Sequence, residues 1–332
     1  IISEFDRPSG SGMSSETLLF ESTWGEAENE VHKKLVARLA PTDQDIPVFP
    51  NYNLSSQVKV MKLVEQLTDI KVPKVLWEEA SIDVLGVPFF VMEQIQGRVP
   101  PDIPPYVFGG WLFDATPESQ IQLQELCVGI IAQLHQIKQK SPDTDFLEFH
   151  TKGDTALKRH FTNQKEYYYW VVQDSRQHPV IEQAFDWLES HWPEESESVL
   201  SWGDARIGNI MFDSKSLEPV AVLDWEMAGL APVEVDLGWM IFMHKFFQLI
   251  AEALEFPGMP KFMTSRDVTS KFTDLTGIVP KNIDWFEIYA ATRHAIIMSR
   301  INDRSVHFGE SEWTDDVDSS IPHRDYLWSR IQ

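Results

Sequence analysis

One cysteine, Cys127, occurs in 332 residues, which excludes an intrachain disulfide and fits a reducing compartment. Basic residues are scarce as well: 28 Lys and Arg stand against 51 Asp and Glu, a formal charge of -23. With no basic stripe to neutralise phosphates, nucleic acid is disfavoured as a partner, and so is an anionic membrane surface. Long apolar runs are missing. The most apolar segment, 237–254, contains His244, Lys245, Gln248 and Glu252 and reads as a core helix. No leader pattern of basic, apolar and small residues opens the chain, and a cytoplasmic location is the expectation. The ten histidines show no metal-ligand spacing, and a Gly-x-Ser-x-Gly elbow is absent, which removes the commonest metalloprotease and hydrolase signals. No repeat or low-complexity tract is visible. The remainder is an ordinary globular composition, 43% hydrophobic and 24% charged, long enough for one large domain or two lobes. The acidic excess serves solubility first; steering of a cationic substrate is the less common use.

Most of the functional information lies in residues 201–239, SWGDARIGNIMFDSKSLEPVAVLDWEMAGLAPVEVDLGW. Asp204 and Asn209 stand five positions apart, and Asp224 follows fifteen residues after the asparagine. Phosphoryl transfer needs such a set: one carboxylate to orient and deprotonate a hydroxyl, and an amide with a second carboxylate to hold magnesium on nucleotide phosphates. An Asp-x4-Asn pair alone is weak. Its surroundings sharpen it: Gly203 precedes the first Asp, Val220-Ala221-Val222-Leu223 reads as a buried strand delivering Asp224, and Asp236-Leu237 follows.

On these residues the chain resembles the aminoglycoside phosphotransferase-like family of small-molecule kinases. The family pattern is His-Gly-Asp-x4-Asn, an apolar strand, Asp-Trp-Glu and a later Asp-Leu. Here Gly203-Asp204, Asn209, Asp224-Trp225-Glu226 and Asp236-Leu237 fall in register. Two positions depart: Trp202 stands where the family has His, and Ala231-Pro232-Val233 replaces Gly-Asp-Pro. In the kinase-like fold the first of these residues packs under the catalytic loop, a role open to a large ring with one N–H. A subset of bacterial proteins in this family, and the kinase-like domains fused to some acyl-CoA dehydrogenases, look closer than the antibiotic-resistance enzymes do.

The resemblance implies an α+β, bilobal protein-kinase-like fold. Residues 1–97 would form a small β-rich nucleotide-binding lobe with a hinge at 93–97. Residues 98–332 would form a larger, mainly helical lobe with a catalytic loop at 202–209 and a metal-binding strand at 220–226. It also implies ATP and magnesium. The Gly/Ser stretch with Gly10, Gly12, Ser14 and Ser15 reads by itself as a hairpin turn; the resemblance makes it the loop covering the nucleotide. Arg38, in the strand 34–39, takes the place of the cation that reaches the phosphates, with Gln57 where the family has a Glu. Glu93 and Ile95 would present backbone groups to adenine, with Met92 behind the base.

Periodicity predicts strands over 17–22, 34–39 and 87–92 and helices over 55–67, 118–138, 180–191, 237–254 and 284–300. Cys127 falls in the helical stripe of Leu123, Leu126, Ile130, Ile131 and Leu134, a packing position. Residues 99–113, VPPDIPPYVFGGWLF, read as a loop or lid.

The reading is an ATP- and Mg-dependent phosphotransferase acting on a small-molecule hydroxyl acceptor, as a monomer or homodimer. Asp204 is the expected base, Asn209 and Asp224 the metal ligands. Arg206 faces an open choice between the transferred phosphoryl group and a structural ion pair. A protein kinase is a poor alternative, because twelve positions from Asp224 to Asp236 leave no room for an activation segment. A catalytically weak nucleotide-binding module and a hydroxyacyl-CoA or other metabolite kinase stay open.

Overall fold

The computed structural model describes residues 1–7, 15–25, 29–139 and 143–332. In chain order the elements begin with β1 (Glu16–Trp24), β2 (Val31–Leu39), α1 (Leu54–Leu67), β3 (Val75–Glu79) and β4 (Phe89–Glu93). Next come α2 (Pro117–Leu134), α3 (Ala156–Val172), α4 (Pro179–Ser190), β5 (Ser198–Ser201), β6 (Ile210–Phe212), β7 (Pro219–Val222) and β8 (Gly229–Pro232). The chain finishes with α5 (Glu234–Ala253), α6 (Ser265–Thr276), α7 (Ile283–His307) and α8 (Arg324–Ile331). Two compact units result. One comprises Ile1–Arg98 with Met211–Glu226, the other Val99–Ile210 with Met227–Gln332.

The first unit is built on a four-stranded antiparallel sheet, ordered β1-β2-β4-β3. Alternation in β2 sends Leu35, Ala37 and Leu39 to one core with Val91 of β4, and Leu18, Phe20, Leu76, Val87 and Phe89 pack against it. Helix α1 starts at Asn53, whose side chain accepts the Ser56 amide at 3.0 Å. It buries Leu54, Val58, Met61 and Val64 at helical spacing.

The hairpin β6–β7 also belongs to this unit from Met211 onward, which departs from the expectation that 98–332 is one lobe. Backbone pairing explains the difference. Arg98 and Phe212 exchange amide–carbonyl bonds, each 2.9 Å, and the Val222 amide donates to Lys71 O at 2.8 Å. At Gly97 a Cβ would meet Val220 Cγ2 at 2.9 Å and Phe212 O at 3.0 Å, so a glycine spares the hairpin a shift at this close approach.

The second unit is mainly helical, with the two-stranded sheet β5-β8. Caps set several helix starts: Thr116 accepts the Ser119 amide before α2, Thr155 that of Lys158 before α3, and Thr264 that of Asp267 before α6. Helix α5 is buried on nearly every side, and at Gly238 a Cβ would land 2.7 Å from the Phe286 backbone of α7. That absent side chain allows the two helices their close approach. Among the described residues no helix is long and apolar enough to cross a membrane. Cys127 is fully buried in α2, and burial pushes its thiol well up, so it packs as an apolar residue.

Candidate active site

Strand β5, buried at Val199, Leu200 and Ser201, delivers the loop that starts at Trp202. Gly203 turns that loop with φ +89°, and a Cβ there would meet the Met227 carbonyl oxygen at 2.2 Å. No L side chain fits both constraints. The Trp202 ring is fully buried in the place of the family's His, the packing position expected of it.

Asp236, in the first turn of α5, fixes the loop from below. Its carboxylate accepts the Ser201 hydroxyl at 2.8 Å, the Trp202 amide at 2.8 Å and the Gly203 amide at 2.9 Å. Burial pushes the Asp236 carboxyl up, and the Gly203 and Trp202 amides, the Ser201 hydroxyl and Arg293 pull it back down. Arg293, in α7 and 1% exposed, donates to Gly203 O at 3.1 Å and stacks 4.4 Å over the Trp239 ring. Backbone donors and acceptors of the loop are therefore both held by buried charges.

Asp204 is the focus of three donors. Trp239 Nε1 donates to Oδ1 at 2.7 Å, while Asn209 Nδ2 at 2.7 Å and Arg206 Nε at 3.1 Å donate to Oδ2. Asn209 Nδ2 also reaches Asp204 O at 3.1 Å. These bonds use the amide nitrogen of Asn209 and leave its oxygen, the atom suited to a hard cation, out of the contact with Asp204.

Arg206 is engaged as an ion pair: its Nη1 donates to Asp102 Oδ2 at 2.6 Å besides the Asp204 contact. Burial works to lower its pKa, but Asp204 and Asp102 outweigh it and hold the guanidinium charged. The open choice for Arg206 thus has its observed partners in two carboxylates. Asp102, Trp239 and Arg293 were not among the expected site residues. Asp102 sits in a Pro-rich loop with no spacing signal. Arg293, a lone cation in the apolar stretch 285–296, carried the one sequence signal that was available.

The remaining expected residues lie on the first unit. Asp224 follows β7 with φ +60°, a left-handed conformation rare outside glycine and a recurrent feature of functional sites. Trp225 anchors the turn, buried with its Nε1 donating to Val222 O at 3.1 Å. Arg38 donates to Thr17 Oγ1 at 3.2 Å, across the β1–β2 register, while Gln57 is buried on α1. Met92 and Glu93 close β4, where the Glu93 amide donates to Lys74 O at 3.0 Å and its carboxylate pairs with Lys33; half-buried Ile95 follows. Ser15 is buried just before β1. Gly10, Gly12 and Ser14 lie outside the described residues.

The profile of the phosphotransferase enzyme family (APH) matches residues 19–256. The chain belongs to this family. Among solved structures, a candidate aminoglycoside phosphotransferase from Ralstonia eutropha JMP134 superposes with a TM-score of 0.68 at 17% identity, covering 99% of this chain and 92% of the other. A macrolide 2'-phosphotransferase from Brachybacterium faecium gives 0.56 at 11% identity, covering 97% and 91%. These likenesses establish the α+β, protein-kinase-like phosphotransferase fold. Sequence relatives include acyl-CoA dehydrogenase family member 11 of Homo sapiens, 29% identical over 188 residues, which is 56% of this chain and 22% of that protein. Family member 10 of Mus musculus is 24% identical over 207 residues, 62% of this chain and 18% of its own. The match thus spans 18–30% of the length of these and other curated relatives.

Proposed function

We propose that this phosphotransferase moves the γ-phosphoryl group of ATP, in the presence of magnesium, to a hydroxyl of a small molecule. The observation that carries the reading is the Asp204 constellation: a carboxylate held by three donors, on a loop whose backbone is tied at both polarities. Catalysis of phosphoryl transfer rests on positioning and on fixed charge, and this loop supplies a fixed carboxylate.

Asp204 orients the acceptor hydroxyl and takes its proton. Asn209, through its amide oxygen, and Asp224, through its carboxylate, are the residues assigned to the metal, whose bound charge neutralises the phosphates. Both donors are oxygens, as magnesium prefers, and the left-handed backbone at Asp224 supports a functional rather than a structural assignment. Arg38 is assigned to steady the phosphates, and Ser15, with Gly10, Gly12 and Ser14, to cover them. Met92, Glu93 and Ile95 are assigned to the adenine. Arg206 acts through Asp204, which it holds, rather than on the phosphoryl group.

Two acceptor classes enter as tests. Neighbouring structures were solved with nucleotides and hygromycin B, and the sequence relatives are acyl-CoA dehydrogenase family members. Screening ATP consumption over aminoglycosides, macrolides, amino alcohols and hydroxyacyl-CoAs tests the proposal, with product mass giving the phosphorylated position. A gain of one phosphoryl group on one acceptor supports it. ATP consumption equal in the parent and in Asp204→Asn contradicts it.

A further inference from the structure

We propose that Trp239 is a positioning residue for Asp204 and that it leaves Oδ1 as the oxygen that receives the acceptor's proton. The inference rests on the reading of Asp204 as the base. A carboxylate offers about four lone-pair directions, two on each oxygen. On Oδ2 both are taken, by Asn209 Nδ2 at 2.7 Å and Arg206 Nε at 3.1 Å. Oδ1 accepts the Trp239 indole at 2.7 Å and, among the described residues, takes no second donor. An acceptor hydroxyl therefore donates to Oδ1, beside the indole.

The indole is held so that it cannot follow a rotating carboxylate. Trp239 is 1% exposed near the start of α5, and its ring lies 4.4 Å under the Arg293 guanidinium. Arg293 is itself tied to Gly203 O at 3.1 Å, so the indole and the backbone just before Asp204 share one buried clamp. Indole is a donor only, which means it never competes for the acceptor's proton. Its direction sets the side from which the hydroxyl approaches Oδ1. On transfer, the hydroxyl proton moves to Oδ1 and the hydroxyl oxygen's electron pair forms the new P–O bond. The bond from the γ-phosphorus to its bridging oxygen breaks, and its electron pair leaves with ADP.

Trp239→Phe removes the N–H and keeps a ring against Arg293. In the full chain with ATP and magnesium, and water as acceptor, kcat should fall about tenfold while KM for ATP stays within about twofold. Partial unfolding lowers the apparent rate and leaves KM alone, so kcat is taken per folded molecule, with the folded fraction read from a denaturant titration. The parent rate per folded molecule overturns the proposal. An independent readout needs no turnover: the Trp239 indole ¹H–¹⁵N resonance, identified as the one missing in Trp239→Phe, should shift in Asp204→Asn. An unmoved resonance overturns the proposal. Failure of the underlying reading shows separately, as Asp204→Asn turning over at the parent rate.

Discussion

Asp236 accepts the Gly203 amide at 2.9 Å from a carboxylate that is 1% exposed. The same group takes the Trp202 amide and the Ser201 hydroxyl, so one buried side chain sets the backbone immediately before Asp204. Asp236→Asn puts an NH2 group among these donors and leaves at least one of them without an acceptor. A loss of about 1–3 kcal/mol in unfolding free energy is expected, with a loss of turnover beyond the unfolded fraction. Denaturant titration beside a rate measured on folded protein checks both. A variant with parent stability and parent rate would show that the loop is set by something other than Asp236.

Trp202 replaces the family's His beneath the loop and is fully buried. Trp202→His removes ring volume from a packed site and should cost about 1–3 kcal/mol. Activity per folded molecule should stay within about one order of magnitude, because no interaction unique to the transition state is lost. Thermal melts and acceptor-independent ATP turnover, measured side by side, separate packing from chemistry. A large gain in activity would mean that Trp202 suppresses catalysis, as the weak-module alternative requires.

Most of this arrangement was legible in the chain because its parts are local in sequence. Asp204, Asn209, Asp224 and Asp236 keep fixed offsets within 33 positions, and the apolar strand and helix around them have clear periods. What was missed is long-range or lacks a period. Asp102 reaches Arg206 across 104 positions, and Arg293 reaches Gly203 across 90. Helix α3 ends in Tyr167-Tyr168-Tyr169-Trp170-Val171-Val172, a composition of low helix propensity, yet Leu157, Phe161, Tyr168 and Val171 share a buried face behind a Thr155 cap. Tertiary packing overrides local preference there. The placement of 211–226 with the N-terminal unit follows from backbone pairing to Arg98 and Lys71, which side-chain patterning does not encode.

Acid should destabilise the second unit through its buried histidines. Burial lowers the pKa of His244 and His323 to about 4, and those of His160 and His294 well below the ordinary value. These groups bind protons in the unfolded chain below about pH 6.5 and resist them when folded. The stability they contribute is therefore full above about pH 6.5 and is lost as pH falls through about 4, by roughly 1.4 kcal/mol per pH unit for each histidine. Asp236 and Asp303, both shifted upward by burial, work with the opposite sign but are fewer than the four histidines. Melting temperatures should be nearly level from pH 7.5 to 6.5 and fall from 6.5 to 5.5 and 4.5, and His323→Asn should flatten that fall. A pH-independent melting temperature over that range would contradict the burial argument.

Asp224→Ala should weaken ATP binding sharply in the presence of magnesium. A carboxylate bound to the metal is not replaceable by an apolar group without leaving phosphate charge uncompensated. Calorimetry with and without magnesium reads this directly, and parent affinity in the variant would remove Asp224 from the metal's ligands.

The most direct test of the central claim is phosphoryl transfer by Asp204→Asn, with ATP affinity measured on the same preparation. Asparagine keeps the side chain's size and an oxygen for the Trp239 indole or for Asn209, so folding and nucleotide binding should be retained. Transfer should slow by about 10²–10⁴-fold, the contribution of a positioned general base. Transfer at the parent rate, with ATP bound as tightly as before, would contradict the assignment of Asp204 and the account built on it.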